Sequence, residues 1–123
     1  MELSMMTNLL GVCLFASITL AVKGHTWTGL YNAATGDNKT FEEVMESAER
    51  VINLERLFNE REGFSIKDEV LPCRLKNEPA PDGLGKGNVA NEEIMLDEFY
   101  DSMGWDKKAG LPTAETLQRL KLK

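Results

Sequence analysis

The chain has 123 residues, the size of one domain, and carries twenty acidic against fourteen basic side chains for a formal net charge of −6. That balance would repel a phosphate backbone, and no basic stripe or aromatic ladder is present for bases to stack on, so nucleic acid is not an expected partner. The two cysteines, Cys13 and Cys73, lie far apart, and the one histidine, His25, does not complete a tetrahedral zinc set with them. A cysteine outside any such pattern is expected to be a buried, reduced thiol.

The first stretch to interpret is LSMMTNLLGVCLFASITLAV, Leu3 to Val22, which holds no charged residue. A secretory signal wants a basic start and small residues before its cleavage point. Here the start is Met1-Glu2, no basic residue precedes Lys23, and Val22 and Gly24 suit cleavage poorly. The length fits a membrane-spanning helix, but Asn8 and Gly11 interrupt it and the flanking charges give no orientation bias. The segment is therefore expected to be buried in protein, with a membrane or secretion role as the alternative.

Next, Thr26 is placed to cap a short helix carrying Trp27, Leu30, Tyr31 and Ala34, stopped by Gly36. In TFEEVMESAERVINLERLFNEREG, Thr40 and Glu43 make a capping box. Phe41, Val44, Met45, Ala48, Val51, Ile52, Leu54, Leu57 and Phe58 recur at helical spacing, Glu46 faces Arg50 one turn on, and Gly63 supplies the stop. This is the longest predicted helix. Residues 65–90 then hold three of the four prolines and the run Gly83-x-Gly85-x-Gly87. No apolar strand precedes those glycines and no helix opens on them, so they predict an irregular, wrapping loop and not a nucleotide fingerprint. Asn91 caps a helix through Met103 with Ile94, Met95, Phe99 and Tyr100 on its apolar side and Gly104 at its end. A last helix runs from Ala114 to Leu120, capped by Thr113. No stretch alternates as a strand. The predicted class is all-α, several helices with a long Pro/Gly-rich strap, and residues 1–123 form a single partial domain.

No self-sufficient active site is present: no nucleophile has a base beside it, and no His-Glu-x-x-His or phosphate loop occurs. The carboxylates are expected to solvate helix faces, and His25 to sit in a loop. No catalytic residue is assigned.

What remains is a set of ordered phrases: Asn8-Leu-Leu-Gly11-Val12-Cys13, NAATG at 32–36, NLERLFNEREGFS at 53–65, LPCR at 71–74, EPAPDG at 78–83, GWD at 104–106 and LPT at 111–113. In this order they resemble the carboxyl-terminal portion of tungsten-containing aldehyde ferredoxin oxidoreductases, and the resemblance covers nearly the whole chain. It implies the helical carboxyl-terminal part of an enzyme that oxidises aldehydes to carboxylic acids and passes electrons to ferredoxin. The implied cofactors are a tungstopterin (tungsten or molybdenum between two molybdopterin dithiolenes) and a 4Fe-4S cluster.

By the same resemblance, Asn8 and the Val12 backbone contact a pterin and Cys13 ligates the cluster, matching a family motif of the form Asp-x-x-Gly-Leu-Cys. A thiolate is the ligand such clusters require, and a glycine lets backbone approach a bulky group. Asn8 stands where the motif has an acid, Leu14 where a basic residue is expected, and Met103 where an arginine precedes the GWD turn. The other cluster cysteines, the catalytic acid and histidine and a β-rich domain are expected upstream of Met1. The chain is thus expected to be a fragment or truncated relative, inactive alone and cytoplasmic. Its partners would be the missing N-terminal domains or a separately encoded subunit, and ferredoxin. The competing readings are a non-catalytic, small acidic helical interaction protein and a membrane-anchored or secreted helical module.

Overall fold

The computed structural model describes residues 2–122. The packing divides it into two compact units: residues up to Glu55 with the stretch from Leu117 onward, and Arg56–Thr116. The class is all-α, as expected.

In the first unit the uncharged opening stretch breaks into two helices, α1 (Glu2–Leu9) and α2 (Leu14–Thr19). Gly11 causes the break. It adopts φ +68°, and the Schellman pair closes over it: Gly11 N–H donates to Asn8 O at 3.1 Å and Val12 N–H to Thr7 O at 2.8 Å. Among the described residues no helix is long and apolar enough to cross a membrane.

The stop of α2 is built the same way, with Ala21 N–H bonded to Ile18 O and Val22 N–H to Ser17 O, but the left-handed position (φ +49°) is held by Ala21. Then α3 runs Gly24–Thr35. It begins two residues before the predicted cap: Lys23 is the N-cap and offers no side-chain bond, while Thr26 lies inside the helix and its N–H donates to Lys23 O. Gly24 is where α3 meets α4, because a Cβ there would collide with the Phe41 ring.

Helix α4 (Phe41–Arg61) carries the capping box as predicted, with Thr40 N–H on Glu43 Oε2 at 2.8 Å and Glu43 N–H on Thr40 Oγ1 at 3.1 Å. Its buried row is Val44, Ala48 and Ile52, one residue per turn. Leu54 and Phe58, expected on the stripe, are exposed. Met6 of α1 packs with Val44 and Ala48, flanked by Met5, Leu10, Trp27, Phe41 and Met45. Burying each large side chain there contributes about 2 kcal/mol. The carboxyl-terminal stretch is tied to this helix by Arg50 Nε donating to Leu120 O at 2.8 Å and by an Arg119–Glu49 ion pair.

The second unit contains the end of α4, a 3-10 turn (Ile66–Asp68), α5 (Cys73–Asn77), α6 (Glu92–Met103) and the start of α7 (Ala114–Arg119). Asn91 Oδ1 accepts Ile94 N–H at 3.2 Å and Gly104 ends α6, both as predicted. Thr113 Oγ1 likewise caps α7 through Thr116 N–H at 3.2 Å. The structure adds a small antiparallel hairpin, β1 (Trp105–Asp106) with β2 (Leu111–Pro112), in register Trp105 to Pro112 and Asp106 to Leu111. Strands this short have no room for an alternating pattern, so none was visible.

The core of this unit is polar at its centre. Arg56 continues the buried row of α4 and is only 7% exposed. Its Nε donates to Gly110 O at 2.6 Å, Nη1 pairs with Glu69 Oε1, and its guanidinium lies 5.1 Å from the Trp105 ring centroid. The Tyr100 hydroxyl donates to the second oxygen of Glu69, and its ring stacks on Trp105 at 6.0 Å. Gly110 (φ +66°) must be glycine twice over, because a Cβ there would stand 2.6 Å from Arg56 Nη2. Burial first, then the Glu69 carboxylate, pushes the Tyr100 hydroxyl up to about 12.

Replacing Ala21 by glycine relieves an L-residue of a left-handed backbone and should raise stability by about 1 kcal/mol, read as a higher urea midpoint. Glu69→Ala leaves the Arg56 charge buried without its partner and should cost roughly 3–5 kcal/mol. Glu62→Ala, at the exposed Arg61 pair, should cost under about 0.5 kcal/mol. The raised Tyr100 group adds a pH signature: its stabilisation is complete below pH 10, the ordinary tyrosine value, and fades as pH rises toward 12. Tyr100→Phe should flatten that alkaline limb of the stability curve.

Candidate functional site

The residues singled out from the sequence lie on one turn of the first unit. Asn8 occupies the last turn of α1 with its side chain exposed, Val12 is half-buried, and Cys13 is the N-cap residue of α2 with an exposed thiol. The Cys13 carbonyl accepts the Ala16 and Ser17 N–H groups at 3.0 and 3.4 Å, so its backbone is fixed while its side chain stays free. Thr7 is buried beneath the turn, its hydroxyl on Ser4 O at 2.8 Å. Val12 N–H is committed to Thr7, so a ligand contact from the Val12 backbone must use its carbonyl.

Two expectations are corrected here. Cys13 and Cys73 are exposed, not buried. Cys13 is the N-cap residue of α2, and Cys73 is the first residue of α5. His25 lies on α3 and not in a loop, with its ring 4.2 Å from that of Phe41.

The turn can meet a large cofactor from one side. A Cβ built at Gly11 meets nothing within 4 Å, so the space above the backbone is open, and the glycine is required by φ and not by a neighbouring atom. The Asn8 amide can both donate and accept there. For a cubane iron-sulfur cluster the fit is partial. The set of thiolates such a cluster needs is not present, and among the described residues no three His, Cys, Asp or Glu side chains group as metal ligands. Cys13 fits the role of one ligand among several.

The second unit holds a feature that the sequence did not announce. A groove of about 600 Å³ is lined by Glu69, Val70, Leu71, Glu92, Met95 and Phe99. The Glu92 carboxylate accepts the Leu71 N–H, then Lys76 Nζ at 3.0 Å, and in that order these hold its carboxyl below the usual range. Ala90 N–H donates to Leu75 O at 2.9 Å. The strap is thereby sewn to the start of α6. In sequence Glu92 reads as an ordinary first-turn acid beside the Asn91 cap. Its partners, Leu71 and Lys76, are remote in the chain, so no local signal marks it. The glycine run 83–87 closes on itself, Gly87 N–H bonding Ala80 O at 2.9 Å and Ala80 N–H bonding Asn88 O at 3.0 Å.

Comparison with known proteins bears on the whole chain. The family model described as "Aldehyde ferredoxin oxidoreductase, domains 2 & 3" matches residues 1–122. The tungsten-containing aldehyde ferredoxin oxidoreductase of Thermococcus kodakarensis is 36% identical over 112 residues, 90% of this chain and 18% of that protein. The proteins of the same name from Pyrococcus abyssi and Pyrococcus furiosus are each 34% identical, over 98% and 97% of this chain and 20% and 19% of their own lengths. The chain thus spans about a fifth of the length of the curated relatives it matches. With the family model matched along almost its entire length, the chain belongs to the aldehyde ferredoxin oxidoreductase family.

Proposed function

We propose that this chain is the carboxyl-terminal helical part of an enzyme that oxidises aldehydes to carboxylic acids with ferredoxin as acceptor, acting in the cytoplasm together with protein that carries the rest of the site. The observation that carries this reading is the turn Asn8–Cys13. A rigid helix-to-helix corner presents a free thiol, an amide side chain and a backbone carbonyl beside open space, at the positions matching the family motif.

The overall reaction takes an oxygen from water into the aldehyde carbon and releases two protons and two electrons. When bound, the tungstopterin supplies the centre to which that electron pair passes, and the 4Fe-4S cluster supplies the relay to ferredoxin. This chain's own residues hold and do not react. The Cys13 thiolate is one cluster ligand, and deprotonation of its thiol accompanies ligation. The Asn8 amide and the Val12 carbonyl hydrogen-bond a pterin, and Gly11 keeps the approach clear. The strap, residues 65–90, lies over neighbouring domains; its exposed Val70, Leu75, Leu84 and Val89 suit a covered surface.

The experiment is reconstitution. The purified chain alone should show no aldehyde-dependent reduction of a viologen dye. Co-expression with a polypeptide carrying the remaining part of the Thermococcus kodakarensis relative should yield the broad visible absorption of a cubane cluster. In that complex Cys13→Ala should remove the absorption, whereas Cys73→Ala should leave it. Retention of the cluster by the Cys13 variant would overturn the ligand assignment, and viologen reduction by the chain alone would overturn the dependence on other domains.

A further inference from the structure

The carboxylates of Asp37, Asp68 and Asp106 accept hydrogen bonds from the chain, and those of Asp97 and Asp101 both meet Lys107. Among the described residues the Asp82 carboxylate has neither a hydrogen bond nor an ion pair. Asp82–Gly83 is also the one place in the chain where glycine follows an aspartate or asparagine. Residues 81–89 are exposed without interruption, and Leu84 stands wholly in solvent. The turn here engages the Gly83 carbonyl, which accepts Lys86 N–H at 3.2 Å, while the Gly83 N–H meets no acceptor among the described residues. Gly83 is left-handed, with φ +73°, and the space where a Cβ would stand is open.

We propose that Asp82–Gly83 is a site of spontaneous modification, at which the aspartate converts to isoaspartate through a cyclic imide. The Gly83 nitrogen attacks the side-chain carboxyl carbon of Asp82. An N–C bond forms, a C–O bond breaks, and the carboxyl oxygen leaves as water with the amide hydrogen and the carboxyl proton. Water then adds to the main-chain carbonyl of the five-membered ring and breaks its bond to the nitrogen. The backbone now runs through Cβ and Cγ, one atom longer, with a free α-carboxylate beside it. The water lost in the first step is regained in the second, so the product is an isomer and the conversion needs no oxidant, reductant or enzyme. Nucleophile and carbon belong to neighbouring residues, so the barrier lies in bringing amide and carboxyl face to face. Glycine puts no side chain in the way of that approach. An amide or carboxylate held by a partner would first have to be released, and here neither is held. An exposed loop of this kind also opens locally at little cost in free energy. The altered link lies inside the loop closed by Gly87 N–H on Ala80 O at 2.9 Å and Ala80 N–H on Asn88 O at 3.0 Å, so the extra backbone atom disturbs that closure.

The test is to age the full chain in warm, mildly acidic buffer and map its peptides by electron-transfer fragmentation, which cuts an isoaspartyl link at its extra Cα–Cβ bond. Synthetic peptides spanning Asp82, Asp37 and Asp106 give the rate of each link when nothing restrains it. Relative to its own peptide, Asp82 in the chain should be slowed by less than about tenfold, whereas Asp37 and Asp106, whose carboxylates are engaged, should be slowed by more. Asp82→Glu, which would have to close a six-membered imide, should abolish conversion at this position. Slowing of Asp82 by about tenfold or more would show that the folded loop withholds the amide from the carboxyl, and overturns the site. Equal slowing at all three aspartates overturns its selection by the fold. In the converted chain the Ala80 and Gly87 amides should exchange with solvent roughly tenfold faster. Unchanged exchange there overturns the disturbed closure and leaves the chemical site standing.

Discussion

The left-handed backbone at Gly11 is the constraint on which the first unit depends. Without it, α1 would have no cause to stop, and the uncharged stretch would run on as one apolar rod. With it, α1 ends, Met6 packs against Val44 and Ala48 of α4, and Cys13 stands at the head of a second helix. The Schellman bonds make this corner stiff, because both N–H groups that could bend away are spent on carbonyls of α1. The corner therefore fixes the backbone of Cys13, whose carbonyl accepts the Ala16 and Ser17 N–H groups, while its thiol remains exposed.

The second unit depends on a different kind of contact. Glu69 receives both Arg56 and Tyr100, and Arg56 in turn reaches the Gly110 carbonyl in the hairpin bend. One carboxylate thereby fixes three segments distant in sequence: the end of α4, the residue after the 3-10 turn and the last turns of α6. Removing any one of Glu69, Arg56 and Tyr100 would leave a buried polar group without its partner, so the contacts stand or fall together. Glu92 does the same for the strap, pinning Leu71 and Lys76 to the start of α6. The apolar side chains Val70, Leu75, Leu84 and Val89 of the strap are exposed, so the polar contacts at Leu71, Lys76 and Ala90 are what tie it to this unit.

Legibility followed the range of the interaction. The Thr40 box, the Asn91 and Thr113 caps and the stops at Gly36, Gly63 and Gly104 are each made within a few residues, and each was readable from spacing. The stops at Ala21 and Lys121 were not, because both adopt the left-handed conformation that composition assigns to glycine. The Arg56–Glu69–Tyr100 centre was unreadable for the opposite reason: nothing local marks Glu69 as the partner of a residue on the far side of a turn. Within the candidate turn, Cys13 and Asn8 were found only through the ordered phrases of a family. Composition alone pointed to a buried thiol, and the thiol is exposed.

The exposed thiol and the inverted helix beside it make a single physical case. Phe15, Ile18 and Leu20 are exposed while Ser17 is buried, the reverse of the pattern expected for a short helix standing in water. The Ser17 hydroxyl accepts the Trp27 indole N–H at 2.9 Å, which ties α2 to α3. The outward apolar face is therefore built into the packing of the first unit and is not a loose edge of it. Burying three such side chains is worth several kcal/mol to whatever covers them, comparable to the net stability of a small domain.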